Sequence, residues 1–218
     1  MAMKVRVVTI DREYGSGANV IAKRLADRLG WKLWDQLLTN EIARLAKCDG
    51  SQVANREERM DPLYYRFLKS FLRGSFEGSL NVNRLNLLDA DSIFRLTQRL
   101  VNTAADEGNA VIVGRGGAFF LENRPDAFHV FIYAPYEDKV RRLIRRGTEP
   151  HEAARLVDTV DNDRADFIKR YFDKEWPDRH LYHLMINSRV GDEAVVRAIL
   201  NGMALHDEQA APPPRSEH

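Results

Sequence analysis

The residues best suited to chemistry in this chain lie between two short apolar runs: Asp11-Arg12-Glu13-Tyr14-Gly15-Ser16-Gly17. Glycines let a backbone turn sharply, and a turn that opens into a helix aims several N–H groups at one point. That point attracts phosphate, because the N–H groups and the helix N-terminus both carry partial positive charge. The loop fits G-x-x-x-x-G-K-[ST] only in part. With Gly17 on the last glycine, Arg12 stands at the first, Ala18 at the lysine, and Asn19 then Val20 where the magnesium-binding hydroxyl belongs. The backbone cradle (Gly15, Ser16, Gly17, Ala18, Asn19) survives the comparison, whereas the two side-chain functions do not. A dinucleotide-binding turn is the competing reading. Gly15-Ser16-Gly17 supplies two of the three glycines of G-x-G-x-x-G, and Asp35 lies at about the distance of a ribose-binding acid. The four residues between Ile10 and Gly15 make the loop longer than a tight dinucleotide turn. A purely structural glycine turn is the third reading.

Positive charge follows further along. An apolar run, Ala110–Val113, leads into Gly114-Arg115-Gly116-Gly117. In an open α/β sheet, ligands bind beyond the carboxyl ends of the strands, so Arg115 is placed to hold an anion, with glycines that permit close approach. A denser group comprises Arg141, Arg142, Arg145, Arg146, Arg155, Asp161-Asn162-Asp163-Arg164, Lys169 and Arg170 with Tyr171. Most basic residues on helices are solvated, and neighbouring acids neutralise them in surface pairs of small value. Phosphoryl transfer, however, needs cations over the phosphates, and a mobile lid of arginines supplies them while excluding water. A helix ending at Arg146-Gly147, a connection through Glu149-Pro150 and a new helix bearing Arg164 and Arg170 form such a short lid.

These groups must be positioned by regular elements. Val5, Val7, Val8 and Ile10 form a β-branched run suited to a buried strand; Ile21, Leu25 and Leu29 recur at helical spacing until Gly30. A second short strand ends at Asp35, and three more are expected at Ala110–Val113, residues 129–133 and Leu184–Asn187. Helical patterns between them signal βαβ units around a parallel sheet. One helix starts after Pro135 and stops at Gly147, with Tyr136, Val140, Leu143 and Ile144 on one face. Another carries Val195, Val196, Ile199, Leu200 and Met203, with Asp192 as its expected cap. Between Asp35 and Ala110 no strand is expected. Leu37, Leu38, Ile42 and Leu45 suggest one helix, and Ile93, Leu96, Leu100, Val101 and Ala104 another ending near Gly108. Tyr64, Tyr65, Phe67, Phe71 and Phe76 between them mark an inserted lobe; aromatics at this spacing more often form core than a stacking platform. From His206, through Pro212-Pro213-Pro214, a disordered tail is expected.

At 218 residues the chain fits one α/β domain with an insert. Its 33 basic and 32 acidic residues leave a net charge of +1, which gives no global reason to bind nucleic acid or an anionic membrane. The single cysteine, Cys48, excludes an internal disulfide, fits a reducing compartment and has no metal-ligand pattern around it. No apolar run approaches the about 18 to 20 residues that span a bilayer, and Met1-Ala2-Met3-Lys4 runs directly into a strand. A soluble cytoplasmic protein is expected.

As an ordered set, the glycine loop, Asp35, the insert, Val113-Gly114-Arg115-Gly116, Arg145-Arg146, Asp163-Arg164, Arg170-Tyr171, Trp176-Pro177-Asp178 and Leu184-Met185-Ile186-Asn187 resemble the cytidylate-kinase-like proteins. These are relatives of the nucleoside monophosphate kinases, and the resemblance covers residues 5–204. It implies a three-layer α/β P-loop kinase fold with a mainly parallel sheet. One domain would span 1–205, with a helical monophosphate-binding insert at about 36–108, a lid at about 146–175 and a tail at 206–218. It further implies transfer of the γ-phosphoryl group of ATP to a nucleoside monophosphate. Gly15, Ser16, Gly17, Ala18 and Asn19 would cradle the nucleotide phosphates, and Arg115 and Asp35 would face the acceptor. Arg146, Arg164 and Arg170 would neutralise the transferred group. Mg2+ would be carried by water and phosphates, with Asp11 or Ser16 as its nearest protein ligands and no dedicated metal site; Asp163 is a further candidate for pairing with lid arginines. Two positions depart from the cytidylate kinases: the loop has no lysine, and Gly116 replaces an aspartate. Arg12, at the loop entrance, is the candidate substitute, since a guanidinium can bridge phosphate oxygens, whereas Lys23 lies a turn or more beyond. The rival to a kinase is a nucleotide- or phosphate-binding module without transferase activity, and a dinucleotide-dependent oxidoreductase comes third. The aromatic-rich insert suits an interface between copies of the chain as well as a substrate lobe.

Overall fold

The computed structural model describes residues 5–35 and 90–209. Cys48, the helix expected around Leu37 to Leu45, the aromatics from Tyr64 to Phe76 and the proline segment lie outside the described residues. Five strands form one sheet: β1 (Val7–Arg12), β2 (Lys32–Trp34), β3 (Ala110–Val113), β4 (Ala127–Tyr133) and β5 (Leu184–Asn187). Their order is β2-β3-β1-β4-β5, and every neighbouring pair is parallel. Val7 pairs with both Ala110 and Ala127, and Ile10 with both Val113 and Val130. With β1 central and in this register, the loops that follow β1, β3 and β4 emerge along one edge, where ligands of open α/β sheets bind.

Side chains alternate across the sheet with the period of two that a strand imposes. Val8, Ile10, Val111, Val113, Val130 and Ile132 pack with helices α1 (Ala18–Leu29) and α6 (Asp192–Gln209). Val7, Ile112 and Phe131 face the opposite side, with α2 (Ala90–Glu107), α3 (Gly117–Phe120) and the later half of α5 (Pro150–Phe172). Burial on both faces is why these strands are continuous apolar runs. The polar exceptions are paired: Thr9 and His129, opposite each other in the β1–β4 register, share a 2.7 Å hydrogen bond between Oγ1 and Nδ1. A third apolar cluster joins α4 (Tyr136–Arg145) to the first part of α5 through Leu143, Ala153, Leu156, Val157 and Val160, and includes Tyr14. The glycine loop thus contributes a side chain to the core of that helix pair.

Three local expectations are corrected. The strand expected at 129–133 starts earlier, at Ala127. Asp192 does not cap α6: Val195 N–H donates to Gly191 O, which puts Asp192 in the first turn, where its charge still favours the N-terminus. Residues 206–209 are the end of α6 and not tail. His206 packs edge-on against Phe128 and His183, with ring centroids 5.8 and 4.9 Å apart, and Asp207 accepts the Val5 N–H at 2.7 Å. Among the described residues no helix is long and apolar enough to cross a membrane.

Candidate functional site

β1 delivers the chain to the loop at Arg12, and Gly15 (φ 77°) and Gly17 (φ 85°) adopt the left-handed conformation that turns it into α1. Space demands glycine as well. A Cβ at Gly15 would lie 3.1–3.3 Å from atoms of Lys139, and one at Gly17 would lie 3.0 Å from the guanidinium carbon of Arg142. The loop is therefore pressed against α4. Gly17 and Ala18 open α1, and their N–H groups have no acceptor within the helix. The Ser16 hydroxyl is buried with no hydrogen-bond partner among the described residues, while Ser16 O accepts the Ser188 hydroxyl at 2.7 Å. An orphaned hydroxyl beside unsatisfied N–H groups is a donor set suited to an oxyanion or to the hydrated cation travelling with it. These groups open onto a cleft of about 490 Å3, bounded by residues 12–20 and by Leu33, Asp35, Leu143, Arg146 and Arg164.

A smaller cavity of about 30 Å3 adjoins it, walled by Asp11, Arg12, Arg115 and Arg164 and roofed by Phe167, Ile168 and Trp176. After β3, Gly114, Arg115 and Gly116 are all left-handed, at φ 64°, 67° and 69°. For the non-glycine Arg115 this conformation costs about 1–2 kcal/mol. Backbone strain of that kind persists where a site requires it. Gly114 is glycine for a contact reason: a Cβ there would collide with the Arg12 guanidinium. Arg115 is buried, its guanidinium 3.9 Å from the Asp35 carboxylate. Burial, and then the neighbouring Arg164, lower the Arg12 pKa to about 10, so it remains a cation at neutral pH. Burial raises the Asp11 carboxyl, against the opposing effects of the Tyr182 hydroxyl, which donates to it at 2.9 Å, and of Arg12 and Arg164.

The structure brings together most of the residues singled out by sequence. Gly15, Ser16, Gly17, Ala18, Asn19, Asp35 and Arg146 line the cleft, Arg115 and Asp11 the small cavity, and Arg12 and Arg164 both. Arg170 is not brought in: it is exposed, with its guanidinium 5.7 Å from the Tyr171 ring centre, and lines neither cavity. It lies six positions along the helix from Arg164, which turns it to another face. Asp163 likewise lines neither cavity; the carboxylate that holds Arg164 is Asp161, at 2.9 Å. Lys23 lines the cleft but pairs with Asp27 at 2.7 Å.

Sequence reasoning missed the support beneath the loop. Lys139 Nζ lies 3.0 Å from Glu13 and 3.7 Å from Asp161, Arg142 donates to Gly15 O at 2.6 Å, and Asp161 accepts the Tyr14 N–H at 2.8 Å. Arg164 also donates to Arg12 O at 2.7 Å. Burial raises the Asp161 carboxyl, opposed by Arg164, the Tyr14 N–H and Lys139. The only sequence signal for this support is the i, i+3 spacing of Lys139 with Arg142 and of Asp161 with Arg164, which puts each pair on one helix face.

A parallel sheet in the order 2-3-1-4-5, a glycine loop between β1 and α1 at its carboxyl edge, and arginines converging on that loop define a P-loop kinase fold. The chain belongs to the cytidylate kinase-like family, whose model matches residues 7–190. An uncharacterized protein from Eubacterium ventriosum is similar in structure, with a TM-score of 0.62 and 22% identity over 93% of this chain and 99% of that one. A gluconokinase from Sinorhizobium meliloti gives a TM-score of 0.53 at 14% identity, covering 94% and 95%. The shikimate kinase from Acinetobacter baumannii, solved with shikimate, gives 0.51 at 15% identity, covering 93% and 95%. At such identities the likeness is one of fold. No curated protein matches the sequence.

Proposed function

We propose that this chain transfers the γ-phosphoryl group of ATP to a nucleoside monophosphate. The observation that carries the reading is the convergence of Arg12, Arg115, Arg146 and Arg164 with the loop on two adjoining cavities at the carboxyl edge of the sheet. Phosphoryl transfer asks little covalent chemistry of a protein; it asks for positioning and for cations near the charge that shifts between oxygens. The N–H groups of Gly17 and Ala18 would hold the donor phosphates, and Arg12 and Arg164 would flank the transferred group. Arg115, with Asp35 beside it, would receive the acceptor. Arg146 is the cation that a lid at about 146–175 would bring over the cleft, and the insert at about 36–108 would enclose the acceptor. Among the described residues no group of three or more His, Cys, Asp or Glu side chains is arranged to hold a metal. Mg2+ would arrive on the phosphates, with the Ser16 hydroxyl and Asp11 as the protein groups nearest to it. Gly116, in place of the aspartate of the cytidylate kinases, removes one support for cytosine specificity, so the acceptor base is left open.

A second reading has its own support. With Ala18 at the lysine position and Arg12 wedged against Gly114, the cleft could bind nucleotide without transferring phosphate. The deciding experiment measures phosphoryl transfer from ATP with Mg2+ to a panel of nucleoside monophosphates, and ATP affinity separately. Turnover on at least one acceptor is expected. ATP binding without turnover on any acceptor would establish the binding module, and preference for NAD over ATP would overturn both readings.

A further inference from the structure

Lys139 is a buried ammonium on α4, and each successive residue of the early loop meets it or its partner. Glu13 places a carboxylate oxygen 3.0 Å from Nζ and accepts the Ala134 N–H at 3.2 Å. Tyr14 gives its N–H to Asp161, whose other oxygen lies 3.7 Å from Nζ. Gly15 packs on the backbone of Lys139 closely enough that a Cβ would crowd it at 3.1–3.3 Å. Asp161 completes the cluster by accepting from Arg164, which also donates to Arg12 O. Two cations and two carboxylates thus balance beneath a loop whose upper side faces the cleft.

We propose that Lys139 is the positioning residue that shapes and charge-balances the phosphate loop, delivering from α4 an ammonium that the loop's own sequence lacks. Nζ does not enter the cleft, so its effect on a ligand passes through the loop and through the charges it neutralises. Without it, the carboxylates of Glu13 and Asp161 keep Arg164, which pairs with Asp161, as the cluster's remaining cation. The cluster then carries one net negative charge just below the site for a polyanion. Methionine at 139 keeps the length and apolar stem and removes the charge together with its contacts to Glu13 and Asp161. Adding Glu13→Gln restores neutrality, and the glutamine oxygen still accepts from Ala134. The inference rests on the phosphate-site reading above.

The test compares wild type, K139M, K139R and the double variant E13Q/K139M. Affinity for Mg-ATP and for inorganic tripolyphosphate is measured by titration calorimetry, alongside thermal unfolding. K139M is expected to weaken both ligands about 10- to 30-fold, the effect of one charge at a separation of roughly 8 Å and an effective dielectric constant of about 20. K139R and E13Q/K139M should bind within about threefold of wild type, which a residue serving only to fasten α4 to the loop would not produce in the double variant. If K139M does not fold, the double variant carries the test: wild-type affinity supports the proposal, and a loss of about tenfold or more in a protein that melts like wild type overturns it. Unchanged affinity in K139M overturns it too. Wild type that binds neither ligand would overturn the kinase reading together with the proposal, whereas wild type that binds while K139M matches it would overturn the proposal alone.

Discussion

Gly114→Ala tests whether Arg12 is held where the chemistry needs it. Gly114 has φ 64°, so alanine there pays the left-handed penalty of about 1–2 kcal/mol. Its Cβ would also enter space occupied by the Arg12 guanidinium, and overpacking a well-filled site costs about 1–3 kcal/mol more. The total is about 2–5 kcal/mol. Gly30→Ala is the internal control, because Gly30 has nearly the same φ, 66°, but nothing within 4 Å of an added Cβ. It should lose only the backbone part, about 1–2 kcal/mol. The difference between the two, read by urea unfolding, isolates the contact with Arg12. Phosphoryl transfer should divide them further: Gly30→Ala keeps wild-type kinetics, while Gly114→Ala loses about 10²-fold in kcat/KM, the scale for misplacing one transition-state donor. Equal destabilisation of the two variants with equal turnover would refute the claim that Gly114 makes room for a functional Arg12.

Arg164→Ala should reduce turnover by about 10²-fold or more and weaken the Asp161 link to the loop, whereas Arg170→Ala should leave turnover unchanged; steady-state kinetics of the pair checks this. Ser16→Ala removes a buried hydroxyl with no hydrogen-bond partner among the described residues, so stability should change by no more than about 0.5 kcal/mol while the apparent KM for Mg-ATP rises. The fold should weaken in mild acid because of His129. Burial and the neighbouring His183 lower its pKa from 6.5 to about 4, so it stays neutral in the folded chain where the unfolded chain would take up a proton. Its contribution is full above pH 6.5 and disappears as the pH falls to 4, a loss of at most about 3 kcal/mol. Unfolding measured across that window in wild type and in His129→Asn should show a shallower slope in the variant.

Much of the fold was legible because its rules are local. Strands packed on both faces are largely apolar, and Val7 to Ile10, with Thr9 as its one polar residue, and Ala110 to Val113 show that without reference to any distant residue, as does the half-buried edge run Leu184 to Ile186. Helix ends at Gly30 and Gly147 were visible for the same reason: each adopts positive φ where the chain leaves a helix. What failed depended on partners remote in sequence. Residues 206–209 read as tail because a histidine and an aspartate after an apolar helix look solvent-seeking; packing on His183 and pairing with Val5 hold them, and neither contact has a local signature. The start of β4 at Ala127 is likewise set by pairing with Val7.

The site divides along the same line, and the division explains how a loop without a lysine can still have cations around it. Arg12 and Arg115 sit at strand ends, so their direction toward the sheet edge follows from topology; Lys139, Asp161 and Arg164 reach the loop from helices across more than a hundred residues and had no such cue. Arg164 lies close enough to Arg12 to disfavour its charge, which after burial contributes to lowering Arg12 to about 10, against the opposing effect of Asp35, Asp11 and Asp161. That lowering corresponds to about 3 kcal/mol held against the charged state, of which burial is the larger part and stays when a ligand binds. The part due to Arg164 does not stay. A phosphate in the cavities that both side chains line would replace that repulsion with attraction to a shared anion. Because Arg12 remains protonated at neutral pH either way, the release appears as affinity without proton uptake. Arginines from β1 and α5 that line the same two cavities tie anion binding to the position of α5.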